Sequence, residues 1–213
     1  MGAREIITRQ DVDLVLDIGA AHGTYGRWIR EAGYEGRICS FEPLSKPFRL
    51  LSAMASTDPL WTCRRVALGA EPGTAEMNVA GNSLSSSLLP MAERHKRSAP
   101  ESVYVGTETV EVRTLDEVWD EIVGDARKPY LKIDVQGYEL EVLRGAERAL
   151  PNVHGVQAEL SLVPLYVGAP AWSEVIEYLQ GRGFHPSGIE PAYSDPKTGE
   201  TLQIDGIFTR DVA

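Results

Sequence analysis

The sequence predicts an α/β fold: a mostly parallel sheet of seven strands, helices on both faces, and an added antiparallel strand or hairpin. Three observations predict it. Short apolar runs alternate with amphipathic stretches along the chain, the order that packs helices on both faces of a parallel sheet. A glycine-bearing turn, Gly19 to Gly23, joins the first apolar run to the first amphipathic stretch, as in folds that bind nucleotides at strand carboxyl ends. The length, 213 residues, suits one domain with a sizeable core, so 1–213 reads as a single domain with an N-terminal segment at 1–13.

In chain order, "LVLDI" (14–18) is an apolar strand, "TYGRWIREAG" (24–33) an amphipathic helix ending at Gly33, and "RICSFE" (37–42) a second strand. A helix near 45–56 and a strand over "TCRRVAL" (62–68) follow, then "GTAEMNVA" (73–80), whose alternation marks the antiparallel strand. Residues 81–108, rich in Ser, Pro and charge without periodicity, predict a mobile loop over the site. "VEVRTLDEVWDEI" runs from strand to helix, with acidic residues in the turn after Thr114. "YLKIDV" (130–135) and "GVQAEL" (155–160) are strands separated by the helix "YELEVLRGAERAL". A helix near 172–182 precedes a closing pair, "GFHPSGI" and "LQIDGIFTR".

Charge excludes several partners. With 31 acidic and 21 basic side chains the formal net charge is -10, a field that repels phosphate backbones and anionic membranes. No nucleic-acid or membrane partner is expected; a homo-oligomer stays open. The segment "MGAREIITRQ" lacks the apolar core of a signal peptide. Cys39 and Cys63, the only two cysteines, sit in apolar strands and read as core residues in a reducing compartment. The expected home is the cytoplasm.

The turn after the first strand narrows the ligand. A dinucleotide fingerprint wants glycines at 19, 21 and 24; the chain has Gly19, Ala21 and Thr24. Asp-x-Gly-x-x-x-Gly fits instead, with Asp17 placed to meet an amino group or an ordered water. Glu42, ending the second strand in "SFEP", can accept hydrogen bonds from the vicinal hydroxyls of a ribose. That feature serves NAD and S-adenosylmethionine alike, and a capping or surface carboxylate ahead of Pro43 is its structural alternative.

"VLDIGAAHGTYG", "FEP", "VALGAEPGTAEMNV", "SLSSSLL", "VEVRTLDEV", "LKIDVQGYELEVLRGA" and "LQIDGIFTR" occur in order over about residues 14–210. Together they resemble the FkbM family of S-adenosylmethionine-dependent methyltransferases. One departure stands out: Ala21 occupies a position where the family usually has Asn. The resemblance implies a Rossmann-like class I methyltransferase fold, S-adenosylmethionine as cofactor, and a hydroxyl acceptor on a sugar, glycoside or polyketide. The cofactor set it implies is Asp17, Gly19, Ala20, Ala21 and Gly23 in the turn, with Glu42, Pro43 and Leu68 at the next strand ends.

The strand "LKIDV" is unusual in its own right, because buried parallel strands normally read as continuous apolar runs. Here Lys132 and Asp134 alternate with Leu131 and Ile133, and Gln157 and Glu159 repeat the pattern in "VQAEL". Neighbouring strands lie about 4.8 Å apart, so Asp134 and Glu159 can converge on one site at the carboxyl edge. Asp134, Lys132 and Glu159 form the candidate catalytic set, in one of three ways. Asp134 acts as general base; Asp134 and Glu159 hold Mg²⁺; or the site chiefly aligns the reactants. A structural ion-pair network is the competing explanation. Glu139 reads as a helix N-terminal acid. His95, His154 and His185 show no ligand spacing, His22 reads as a solvated loop histidine or one that faces the cofactor or catalyses, Trp28 and Trp119 read as core, and Tyr166 as a pocket or rim residue. An NAD-linked oxidoreductase is disfavoured by the glycine spacing, and a non-catalytic binding module by the polar residues at 132, 134 and 159.

Overall fold

The computed structural model describes residues 2–210. The first half runs α1 (Ala3–Arg9), β1 (Leu14–Ile18), α2 (Thr24–Glu31), β2 (Arg37–Phe41), α3 (Ser45–Ala55), β3 (Trp61–Arg64), β4 (Ala67–Leu68) and β5 (Gly73–Ala80). The second runs α4 (Glu93–Ser98), β6 (Tyr104–Arg113), α5 (Leu115–Val123), β7 (Pro129–Ile133), α6 (Glu139–Arg144), β8 (Gly155–Ser161), α7 (Trp172–Gln180), β9 (His185–Ser194) and β10 (Thr201–Thr209). Seven strands form one sheet in the order β3-β2-β1-β7-β8-β10-β9, with β10 antiparallel to both neighbours and the other pairs parallel. The order reverses between β1 and β7, and at such a switch point strand ends splay to leave a crevice.

Both faces of the sheet are covered, so all five residues of β1 and of β7 are buried. Leu14, Leu16 and Ile18 face one cluster with Leu115, Trp119 and Leu143. Val15 turns the other way, into a cluster with Ile6, Ile29 and Trp61. Each such aliphatic side chain contributes about 1.5–3 kcal/mol by leaving water. In α5 the Thr114 hydroxyl accepts from Glu117 N, and the Glu117 carboxylate accepts from Thr114 N, a reciprocal cap that starts the helix where the sequence puts it.

The structure departs from the sequence expectations in several places. The strand expected over 62–68 divides: Trp61–Arg64 pairs with β2, while Ala67–Leu68 joins a second sheet of order β4-β6-β5. The antiparallel strand 73–80 pairs there with β6. The expected loop 81–108 contains α4, a 3₁₀ turn at Pro100–Ser102 and the start of β6. Its Ser and Asn side chains bond backbone: Asn82 Oδ1 accepts from Leu84 N and Ser85 N, and Asn78 Nδ2 donates to Ser87 O and Leu89 O. The polar composition there supplies turn bonds rather than signalling their absence. The helix expected from 138 stops at Arg144, and the Gly145 that follows packs so closely that a Cβ there would meet Gly69 O at 2.0 Å. The segment 1–13 includes α1, whose Ile6 and Ile7 are core residues. Trp119 is buried, whereas Trp28 is exposed, since α2 turns Gly26 and Ile29 inward.

Candidate active site at the strand carboxyl ends

The turn after β1 is shaped by close backbone approach. Gly19 has φ +81°, and a Cβ there would lie 1.8 Å from the carbonyl oxygen of Asp134. Only glycine fits. Gly19 N and Ala20 N both donate to Phe41 O, at 3.1 and 2.9 Å, tying the turn to the end of β2. Ala21 also has a positive φ, +47°, and its N–H donates to Glu42 Oε2 at 3.0 Å while Leu44 N donates to Oε1 at 2.8 Å. Glu42 is 6% exposed. Burial pushes its pKa up, against those two backbone donors, to about 7. Each of its oxygens keeps lone-pair capacity for a further donor.

Beneath the turn lies the charge pair the alternating strands announced. Lys132 Nζ is 3.4 Å from Asp17 Oδ1 and 3.4 Å from Asp134 Oδ2. Burial pulls the lysine pKa down, but Asp134, Asp17 and Glu159 outweigh it, so the ammonium stays charged above the ordinary lysine value. Asp17 is wholly buried, and Ser40 Oγ donates to its Oδ2 at 3.2 Å. Burial raises the Asp17 pKa against the pull of Lys132.

Asp17, expected to meet the ligand, is not on the wall of the crevice. Its carboxylate lies behind the crevice and holds Lys132. Ala20 and Gly23 are likewise packed away from the crevice: Ala20 is 4% exposed, and a Cβ on Gly23 would touch Leu51 and Met54.

The chain leaving β7 forms the other side of the crevice. Asp134 N donates to Ile18 O at 3.0 Å, then Gln136 and Gly137 take positive φ, +57° and +96°. That kink turns the Gln136 side chain back between two carboxylates: Nε2 donates to Asp134 Oδ1 at 2.7 Å and to Glu159 Oε2 at 2.8 Å. Tyr166 donates to Gln136 Oε1 at 2.5 Å, and Ser87 donates to Gln136 O at 2.7 Å. Gln203 Nε2 donates to Glu159 Oε2 at 2.6 Å. Burial, then the charges of Asp134, Glu139 and Asp205, drive the Glu159 pKa well above the ordinary range. Glu139 is structural: its Oε1 accepts from Val135 N and Gly137 N at 3.2 and 3.0 Å, fixing the kink, and burial lifts its pKa to about 7.

The sequence therefore placed Asp134 and Glu159 correctly as neighbours but not as a metal pair. An amide N–H₂ occupies the gap between them, and Lys132 holds the far oxygen of Asp134. A cation would have to displace one of these donors. Among the described residues no group of three or more His, Cys, Asp or Glu side chains is placed to hold a metal.

Two adjoining chambers open on this network. The first is mainly apolar, walled by Phe41, Pro43, Leu44, Ala67 and Leu68 with Glu42 at its edge. The second is polar, walled by Glu159, Gln203, Tyr193, His95 and Glu101. Gly19, Ala21, Leu84, Asp134 and Gln136 belong to both and form the partition. Of the expected cofactor set, Gly19, Ala21, Glu42, Pro43 and Leu68 border the first chamber.

Tyr166, read as pocket or rim, is 1% exposed and anchors Gln136 from below. Gln136, Gln203 and His95 were missed as site residues. Gln203 does alternate with Asp205 along β10, a signal that the sequence contained. His154 and His185 lie elsewhere, near Gln10 and Thr209.

A profile of the methyltransferase FkbM domain matches residues 17–186. The chain belongs to the FkbM methyltransferase family. No curated protein sequence matches it. Solved structures share its Rossmann-like class I methyltransferase fold at low identity. The fibrillarin/Nop5p complex aligns at TM-score 0.54 and 15% identity, covering 94% of this chain and 73% of the other. Magnesium protoporphyrin IX methyltransferase from Synechocystis PCC 6803, with bound SAM, aligns at 0.54 and 11%, covering 97% and 74%. Precorrin-6y C5,15-methyltransferase from Geobacter metallireducens GS-15 aligns at 0.51 and 10%, covering 97% and 84%. Among the described residues no helix is long and apolar enough to cross a membrane.

Proposed function

We propose that this FkbM-family methyltransferase uses S-adenosylmethionine to methylate a hydroxyl of a small polyhydroxylated acceptor, a sugar or glycoside. The observation that carries the reading is the partition: an apolar chamber edged by a ribose-competent carboxylate shares Gly19, Ala21 and Asp134 with a chamber lined by hydrogen-bonding groups. The residues fit the cofactor. Glu42 would take the ribose hydroxyls, the apolar wall with Pro43 and Leu68 the adenine, and the side-chain-free turn at Gly19 leaves room for the amino-acid end. When bound, S-adenosylmethionine supplies a methyl group activated by a positive sulfur.

The protein's own task is to orient the acceptor hydroxyl and receive its proton. Asp134 is the acceptor of that proton. Its side chain is 31% exposed, on the partition itself, with Lys132 Nζ 3.4 Å from its Oδ2. Gln136 fixes the orientation of the carboxylate through Oδ1, and each oxygen keeps lone-pair capacity for a hydroxyl. The positive φ at Gln136 is accompanied by hydrogen bonds from Ser87 to its carbonyl oxygen and from Tyr166 to its side-chain oxygen.

Calorimetry with S-adenosylmethionine and with NAD, followed by a product-mass screen of glycosides and polyketides, tests the reading. Binding of the first alone and a gain of one methyl on oxygen is the expected result; NAD binding, or methyl transfer to nitrogen or carbon, overturns it.

A further inference from the structure

The second chamber has a charge imbalance that narrows its acceptor. Its wall presents the carboxylates of Asp134 and Glu101 beside Glu159, whose raised pKa favours the uncharged acid, and among the described residues lining it there is no lysine or arginine. The nearest ammonium, Lys132, is 7% exposed and already shared between Asp17 and Asp134. His95 lines the same chamber at 3% exposure; burial lowers its pKa, which keeps the imidazole neutral, and its Nδ1 has no hydrogen-bond partner among the described residues. The rest of the polar lining is amide and hydroxyl, from Asn82, Gln136, Gln203, Ser85 and Tyr193.

Recognition of phosphate or carboxylate relies on Arg or Lys donors. Here an anion would leave water to face like charges with no cation to pair it, which disfavours its binding. Hydroxyls and ammonium groups meet the opposite situation, since they can donate to the Asp134 and Glu101 carboxylates.

We propose that the chamber takes a polyhydroxylated acceptor carrying a protonated amine, an amino sugar or amino polyol, and turns away carboxylated and phosphorylated acceptors. The proposal rests on the methyl-transfer reading of this site. Glu101, exposed on the 3₁₀ turn at Pro100–Ser102, receives the ammonium while Asp134 faces the hydroxyl.

The test is binding to wild-type protein loaded with S-adenosylhomocysteine, at slightly acid pH so that the amine is charged. Methyl glucosaminide, methyl glucoside and methyl glucuronide are compared by ligand-observed NMR or calorimetry. The glucosaminide should bind tightest and the glucuronide weaker by about tenfold or more. Glu101→Gln should narrow that ratio several-fold while S-adenosylhomocysteine affinity stays unchanged. Three indistinguishable probes, undetectable binding by all three included, overturn the proposal, as does a glucuronide that binds as well as the glucosaminide. A lead by the neutral glucoside overturns the amine. Failure of the wild type to bind S-adenosylmethionine or S-adenosylhomocysteine overturns the methyl-transfer reading instead, so the two failures are separable.

Discussion

Lys132→Met removes the one ammonium from a cluster of buried carboxylates and leaves a side chain of similar length. At 3.4 Å from Asp17 Oδ1, the attraction is about 5 kcal/mol at an effective dielectric of about 20. Desolvation offsets part of that in the intact pair. In the mutant, however, Asp17 remains wholly buried with only the Ser40 hydroxyl at 3.2 Å. Breaking one side of a buried pair costs about 3–5 kcal/mol, so urea denaturation should show that loss. Asp17→Asn in the same background removes the stranded charge, keeps an acceptor for Ser40, and should restore more than half of it. The double-mutant cycle is therefore strongly non-additive. A Lys132→Met cost below about 1 kcal/mol, or additive single and double variants, would refute the claim that Asp17 exists to hold Lys132.

Other expectations follow from the same geometry. Glu42→Ala should weaken S-adenosylmethionine binding by about 1–3 kcal/mol in calorimetry, and unchanged affinity in a folded variant removes the ribose assignment. Asp134→Asn should lower turnover by about 10²-fold or more with cofactor affinity little changed; near-normal turnover reduces the pair to a structural one. Turnover should be insensitive to EDTA, because Gln136 fills the gap a cation would need; a loss reversed by Mg²⁺ would contradict that. Glu42 and Glu139 have native pKa values raised to about 7, so between about pH 4.5 and 7 the folded state binds more protons than the unfolded one. Their contribution to stability is present at the acid end and is lost as pH rises through that window, and Glu42→Gln should flatten the fall in denaturation midpoint.

The sheet was legible because its signals are local: apolar runs with glycine-bearing turns, a Thr114–Glu117 cap, and charges alternating with aliphatics on 131–135. The misread segments failed where bonds outside any regular period supplied what the pattern lacked. Residues 81–108 have no period, yet Asn78, Asn82 and Ser86 bond backbone across the segment. The division of 62–68 depends on β6, more than forty residues later in the chain. Within the site, the types of the charged residues were readable but not which of them line the chambers.

Asp17 and Lys132 share a register position on β1 and β7, and pairing between them turns the Asp17 carboxylate away from the crevice and toward the lysine. Ala21 shows how a departure from pattern becomes physical. The family's usual Asn tolerates a left-handed backbone, and Ala21 sits there at φ +47° with its N–H bound to Glu42. An alanine in that region carries about 1–2 kcal/mol of strain. Ala21→Gly should therefore raise the denaturation free energy by about 1 kcal/mol, and Ala21→Asn should do so by a smaller amount. If both variants are less stable than the parent, the strain is absent and the turn's shape comes from Gly19 and Gly23 alone.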